Sequence, residues 1–410
     1  MISNEFLVRG ARLWRGDSEA VDPLSSLLHV REGHVIAVSS SDGTGDAAST
    51  DLPILDLEGR YIVPGLIDAH VHLELDPALK SPKDQIAVPE QERRAGITAR
   101  ARRMLGAGIT TARDCGGGAH WELAHRNAID GGTAIGPRLL CCGQPLTTRG
   151  GHCHFWGGEV ETRLEIDRMV AMQIEAGSDW IKVMATGGVF TKGTNARDAQ
   201  FDLSRLLSIV GAASRGDRSV AAHCHGTEGI RNAVRAGVRT IEHASFAGPD
   251  GFGTEIDESL MREMAERELW VSPTVNAGWG RRIENDKGEE TDFFKRLSSL
   301  LRTQKDHGIR FIASTDAGIP GVEHHNLVDG LIAFERFADL RPVDVLRTAT
   351  SESAIALGVQ NETGRIEPGL SADFLVLDSN PLENLAALRD PELVVFRGEC
   401  FDRATRAEWC

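Results

Sequence analysis

Eight short apolar runs, separated by stretches of helical periodicity, constrain the middle of this chain more than any other feature. They are 66–72, Thr110–Arg113, Arg138–Cys141, Trp180–Met184, Ser219–His223, Thr240–His243, Leu269–Ser272 and Arg310–Ser314. Such alternation points to βα units and a parallel sheet, because two parallel strands need a crossover long enough to hold a helix. Several of the helical stretches close on glycine, as in Leu105-Gly106-Ala107-Gly108, Glu175-Ala176-Gly177 and Arg235-Ala236-Gly237, where a left-handed residue can stop a helix. Eight parallel strands with crossover helices close most simply into a (β/α)8 barrel of the TIM type.

Both ends of the chain have a different texture. Phe6-Leu7-Val8, Leu27–Val30 and His34–Val38 read as short strands, the last two joined by the turn Arg31-Glu32-Gly33, and the polar segment from Ser39 to Thr50 reads as a mobile loop. Ala372–Leu377 and Leu393–Phe396 repeat the strand texture at the other end. An α/β barrel over 61–359, bracketed by a small composite β-sandwich domain of 1–60 plus 360–410, fits a length of 410 residues.

The net charge of -15, with no run of Lys or Arg, argues against nucleic acid or an anionic membrane as partner and for a small-molecule or peptide substrate. The start, Met1-Ile2-Ser3-Asn4-Glu5-Phe6, lacks the basic and apolar regions of a secretory signal, and no stretch is long enough to span a bilayer; the expected location is cytoplasmic. The cysteines number 7 and form no Cys-x-x-Cys pair, so neither a disulfide framework nor a structural zinc site is indicated. Cys141, Cys142 and Cys153 are read as buried small apolar residues.

Barrels of this kind carry their reactive groups at the C-terminal ends of the strands. The first run ends in His70 and His72, which share a strand face because side chains alternate. The fourth carries Lys182, the fifth ends in His223, the sixth in His243, and the eighth is followed by Thr315-Asp316. Any one histidine could be an ordinary polar cap on a strand; metal-capable residues at so many strand ends argue for a shared site.

With these residues in place, the chain resembles the amidohydrolase superfamily, and within it the imidazolonepropionase-like and Xaa-Pro dipeptidase (prolidase-like) branch. The matching stretches are Val63–His72, Gly108–Asp114, Ile181–Gly188, Ala222–Gly226, Ile241–His243, Ser314–Gly318 and Gly364–Gly369 leading to Ala372-Asp373-Phe374, in order along nearly the whole chain. The resemblance implies a binuclear metal centre in which His70, His72 and Asp316 hold one divalent ion, His223 and His243 hold a second, and Lys182 bridges them. An ammonium cannot ligate a cation, so the bridge requires Lys182 to be carboxylated by carbon dioxide. Zinc suits the nitrogen and oxygen donors first, with manganese and cobalt open. A hydroxide between the ions would be the nucleophile, one ion would polarise the substrate carbonyl, and Asp316 would carry the proton to the leaving nitrogen.

The loop Thr147–Glu159 after the third strand is rich in glycine, histidine and aromatics. In related dipeptidases a histidine of a Gly-Gly-His segment contacts the scissile carbonyl; His152 is the matching position, the alternative being a brace within the loop. Arg149, His154, Phe190 and His225 are further candidates for binding substrate. Dipeptidase-like relatives commonly carry tyrosine where this chain has His225, which puts strict C-terminal dipeptidase activity in question; a protonated His225 or the Arg149 fork could still bind a carboxylate. Phe155, Trp156 and Phe190 favour an apolar or aromatic substrate group. His324 and His325 lie well past the strand end and are set aside as ligands.

The expected function is metal-dependent hydrolysis of a C–N bond in an amide or peptide-like substrate. Cleavage of an amide or amidine in a modified peptide, hydrolysis of a cyclic amide, carbamate or ester, and a non-catalytic scaffold stay as alternatives. A homo-oligomer is also open.

Overall fold

The computed structural model describes residues 4–22, 26–40, 51–280 and 291–409. The amino-terminal segment supplies β1 (Glu5–Leu13), β2 (Ser26–Arg31), β3 (His34–Ser40), β4 (Ile54–Asp56) and β5 (Tyr61–Pro64). β2 and β3 pair antiparallel with Arg31 opposite His34, and Glu32 and Gly33 make the turn with φ of 50° and 79°. This is the two-residue hairpin in which both central residues are left-handed. β3 runs on through Ser39 and Ser40, where a loop was expected, and residues 41–50 lie outside the described residues.

All eight expected strands of the middle are present. They are β6 (Leu66–Val71), β7 (Ile109–Asp114), β8 (Arg138–Cys141), β9 (Trp180–Met184), β10 (Ser219–Gly226), β11 (Thr240–Ala247), β12 (Trp270–Ser272) and β13 (Arg310–Phe311). β14 (Phe374–Leu377), β15 (Leu393–Phe396) and β16 (Glu399–Asp402) follow. β6, β7 and β8 form one parallel sheet, and β9 to β13 form another in sequence order. Backbone bonds link the edges of the two sheets. On one side Leu146 N donates to the Lys182 carbonyl and Met184 N to the Leu146 carbonyl, each at 2.8 Å; on the other Ala69 N reaches the Ala313 carbonyl at 2.9 Å and His72 N the Ala317 carbonyl at 2.8 Å.

The intervening helices carry the stops read from sequence. Arg163–Ala176 begins with a capping box in which Thr162 and Glu165 satisfy each other's backbone N–H, and ends on Gly177 at φ 94°. Its buried face is Ile166, Val170 and Gln173. Thr227–Ala236 ends on Gly237 at φ 82° and buries Ile230, Ala233 and Val234.

The remaining sheet is built from both ends of the chain in the order β16-β15-β14-β5-β1-β2-β3, with β4 beside β1. It takes in β5 and so reaches Pro64, beyond the boundary expected at residue 60. In β1 the alternation Phe6, Val8 toward the core shifts to Ala11, Leu13 across a bulge at Gly10, where one extra residue resets the inward face. β14 is buried on both sides: Phe374 and Val376 face this sheet's own core, while Leu375 and Leu377 pack into the core of the middle region. A strand between two cores must be apolar at every position, which is why Phe-Leu-Val-Leu shows no alternation.

Among the described residues no helix is long and apolar enough to cross a membrane. Cys141, Cys142 and Cys153 are free and buried, as expected.

Candidate metal centre

The ends of β6, β9, β10 and β11, with the segment after β13, surround one cavity of about 720 Å³. His70, His72, Lys182, His223, His243 and Asp316 all line it. Nε2 of His70 and Nε2 of His72 lie 3.3 Å apart, and Asp316 Oδ1 lies 3.4 Å from the first and 3.5 Å from the second. Lys182 Nζ is 3.4 Å from His70 Nε2. The His223 and His243 rings are 4.6 Å apart at 74°.

Oxygen acceptors fix which nitrogen of each ring faces inward. His70 Nδ1 donates to Glu242 Oε2 and His72 Nδ1 to the Gly116 carbonyl, both at 2.8 Å. His223 Nε2 donates to the Gly187 carbonyl at 3.2 Å, and His243 Nδ1 is bonded to Thr274 Oγ1 at 2.9 Å. With Nδ1 of each ring held on an oxygen, His70 and His72 turn Nε2 toward each other across 3.3 Å. Two imidazole nitrogens beside a carboxylate make a donor set that fits a divalent cation.

Beneath His70 lies a buried charge network that sequence reasoning missed. Glu242 Oε1 accepts from Arg113 Nη2 at 2.7 Å and from Thr240 Oγ1 at 2.6 Å, and Arg113 Nε donates to the Ala69 carbonyl at 2.8 Å. Burial would raise the Glu242 carboxyl; the guanidinium of Arg113, helped by His70, outweighs it and holds the group well below the usual range. The available signal was a charge inside each of two apolar runs, Arg113 in β7 and Glu242 in β11. Asp68 was also missed: it accepts from Thr315 Oγ1 at 2.6 Å and from the His70 backbone N–H at 3.2 Å, tying β6 to the segment that carries Asp316. Cys115 comes within 4.8 Å of donor atoms on His70 and Glu242.

The rim is held in left-handed backbone. His243 (φ 70°), Ala244 and Phe246 (φ 46° each), Thr274 (φ 53°), Asp316 (φ 59°) and Cys153 (φ 58°) all lie there without being glycine. Each such residue costs about 1–3 kcal/mol, and strain of this kind gathers where side chains must be aimed at a site.

The electrostatics favour neutral imidazoles at His72, His223 and His243, whereas at His70 burial, which would lower the value, is outweighed by Cys115 and then Asp316, which bring it up to about 9. Burial, followed by neighbouring imidazoles and Lys182, pushes His223 and His243 well below the ordinary histidine value. Burial and then His70 bring His72 to about 4. Lys182 is 1% exposed and makes no ion pair among the described residues.

Of the residues expected to meet substrate, His152, Phe190 and His225 line the cavity. The His152 ring lies 4.6 Å from that of His223 and its Nδ1 is buried without a partner. Its seat requires a glycine opposite, because a Cβ on Gly188 would come within 2.4 Å of the ring. Trp156 and Phe190 form an aromatic wall, with Phe155 packed behind them at 5.0 and 6.0 Å.

Two of the expected residues stand outside the cavity lining. Arg149 does not line the cavity: its side chain is 71% exposed and turns outward to Glu165 at 3.2 Å, drawn by the acidic start of the helix Arg163–Ala176. His154 is also absent from the lining, since the single 3-10 turn His154–Trp156 aims Trp156 inward and leaves His154 Nδ1 bonded to the Gly151 carbonyl at 2.9 Å. His324 is no ligand either; its Nε2 donates to the His72 carbonyl at 3.0 Å from outside the ring of donors. The opposite wall, made by Phe252, Trp279, Phe293, Leu297 and Leu300, went unnoticed in the sequence because an amphipathic helix such as Asp292–Asp306 looks the same whether its apolar face meets a core or a cavity.

A sequence profile of the amidohydrolase family matches residues 61–400. The ochratoxinase of Aspergillus niger is 28% identical over 367 residues, an overlap of 81% of this chain and 73% of that protein. Among solved structures, a Xaa-Pro dipeptidase with methionine bound in its active site superposes with a TM-score of 0.85 at 24% identity, over 97% of this chain and 100% of the other, a likeness of fold. An amidohydrolase structure matches with a TM-score of 0.82 at 27% identity, over 97% and 99% of the two chains.

Proposed function

The chain belongs to the amidohydrolase family, and from that premise we propose that it is a metal-dependent hydrolase of a C–N bond, in an amide or peptide-like substrate with a bulky apolar group. The observation that carries this reading is the convergence of His70, His72, Lys182, His223, His243 and Asp316 on one cavity whose walls are aromatic and aliphatic. A relative named ochratoxinase and a fold neighbour named as a dipeptidase agree with it.

The edge-to-edge backbone bonds support one closed (β/α)8 barrel over 61–359, and the sheet shared by both ends supports a composite β-sandwich domain of 1–60 plus 360–410. In this reading the barrel positions the chemistry and the composite domain braces its first strand.

His70, His72 and Asp316 would hold one divalent ion and His223 with His243 a second; the neutral nitrogens and the carboxylate suit zinc, with manganese or cobalt as alternatives. Carboxylation by carbon dioxide would make Lys182 an anionic bridge. Such ions supply Lewis acidity toward a carbonyl and lower the pKa of water from about 16 to about 7. The remaining steps belong to the chain. Asp316 accepts a proton at a carboxylate oxygen and returns it to the leaving nitrogen. His152, pushed down to about 3 by burial and then by Lys182, is neutral at pH 7 and donates an N–H to the carbonyl oxygen as charge grows there. The walls exclude water and seat the apolar group.

The test is metal content per chain by elemental analysis, on protein purified without chelator and with bicarbonate present, for wild type and Lys182→Ala, alongside a panel of matched amides and esters. About two ions in wild type, fewer in the variant, and turnover of amides abolished by chelation support the reading. Wild-type protein without metal, or amide hydrolysis indifferent to chelation, sinks it.

A further inference from the structure

We propose that Gln304 sets substrate specificity by accepting a hydrogen bond from an O–H or N–H on the substrate's apolar group. The inference rests on the metal-hydrolase reading above and narrows its substrate to amides whose bulky ring carries a donor, as a phenol or an indole does. On the helix Asp292–Asp306, Phe293, Leu297, Leu300 and Gln304 stand at i, i+4, i+7 and i+11, the spacing of one helical face, and all four line the cavity. The first three make that face apolar; the fourth puts a carboxamide into it.

The two polar atoms of that carboxamide are placed differently. Nε2 donates to the Ala244 carbonyl at 2.9 Å. This bond fixes which way the amide faces, since the reverse orientation would set two carbonyl oxygens against each other. Oε1 is therefore the atom left over, and it is buried without a partner. Orphaned buried acceptors are unfavourable and scarce in folded proteins, so each calls for a donor that arrives from elsewhere. Among the described residues, two such side-chain atoms belong to residues that line the cavity, His152 Nδ1 and Gln304 Oε1. The His152 ring lies 4.6 Å from that of His223, beside the metal-capable residues, where the scissile carbonyl is handled. Gln304 belongs instead to the wall that seats the apolar group. Leu300 and Leu301, at i−4 and i−3, flank it on the helix surface and also line the cavity. A buried water needs about three polar partners, which these leucines do not offer. A ring held in this wall with its own O–H or N–H supplies the single donor that Oε1 lacks.

The test uses the full chain loaded with zinc, and matched amides that carry a phenylalanine, tyrosine or O-methyltyrosine side chain on the acyl or on the amine side of the scissile bond. For wild type, kcat/KM is expected to be about three- to tenfold higher for the tyrosine amide than for the other two, on one of the two sides. Gln304→Met keeps the length of the side chain and removes the acceptor; it is expected to abolish that preference. The variant also releases the Ala244 carbonyl, so the readout is the ratio between substrates within each protein, in which a general loss of rate cancels. If Gln304→Met loses its folded circular dichroism, the wild-type series carries the test. Equal kcat/KM for the tyrosine and phenylalanine amides in wild type, or an unchanged tyrosine preference in folded Gln304→Met, overturns the role of Gln304 and leaves the metal-hydrolase reading intact. Hydrolysis of the same amides that is indifferent to chelation overturns the reading on which it rests.

Discussion

Glu242 Oε2 lies 2.8 Å from His70 Nδ1, and both side chains are buried. The carboxylate sets which His70 nitrogen keeps the proton and so which one faces the cavity. Glu242→Gln preserves shape and removes the charge; metal affinity is expected to fall about 10–100-fold, measured by chelator competition. Removing Arg113 instead leaves the carboxylate buried without its cation, and Arg113→Met is expected to cost about 3–5 kcal/mol in urea denaturation. Wild-type affinity in Glu242→Gln would mean that this contact does not orient a ligand.

Gly188 leaves room for His152, so a methyl group there is a test of that histidine without touching it. Since a Cβ would come within 2.4 Å of the ring, Gly188→Ala is expected to displace it. Loss of a donor to the growing oxyanion corresponds to about 10²–10³ in kcat, with metal content unchanged. Full activity in this variant would assign His152 to bracing the loop.

The aromatic wall and the outward arginine make opposite predictions. Phe190→Ala is expected to reduce the preference for aromatic over aliphatic substrates by up to about tenfold, the equivalent of about 0.5–1.5 kcal/mol of ring contact. Arg149→Ala is expected to leave KM for carboxylate-bearing substrates unchanged. Kinetics on a matched substrate panel read both, and a raised KM in Arg149→Ala would return that side chain to the binding site.

His324 gives a prediction for stability against pH. Burial, followed by Arg100, pushes its pKa down to about 3, whereas the unfolded chain takes up this proton near about 6.5. Between those values the unfolded state binds more protons, so its contribution is complete above about 6.5 and is lost as pH falls toward about 3. His324→Gln keeps a donor for the His72 carbonyl and cannot titrate; its Tm should fall less steeply with acid across that window. Parallel Tm curves for the two proteins would contradict this.

Much of the site was legible because strand alternation and strand ends are local facts. His70 and His72 share a face by spacing alone, Lys182 sits within an apolar run, and His223, His243 and Asp316 end or follow one. The supporting network was not legible, since Glu242 meets His70 and Arg113 only after β6, β7 and β11 have been brought together. The placement of Arg149 and His154 outside the lining was not legible for a related reason: a single 3-10 turn and an acidic helix start decide which side chains of their loop point inward. Most strands were readable from their apolar runs, but β4, β5 and β16 were not expected, and the double burial of β14 depends on a partner, β5, far away in sequence.

That pairing sets an order of events during synthesis. Pro64 of β5 lies opposite Phe374 of β14, and β6, with His70 at its end, follows β5 after the single residue Gly65. On the ribosome every strand of the middle region emerges before β14 does, so β5 must wait with β1 as its one strand neighbour while the cavity-forming segments are made. Contacts that distant in sequence form slowly, and the nascent chain meanwhile leaves one edge of β5 unpaired.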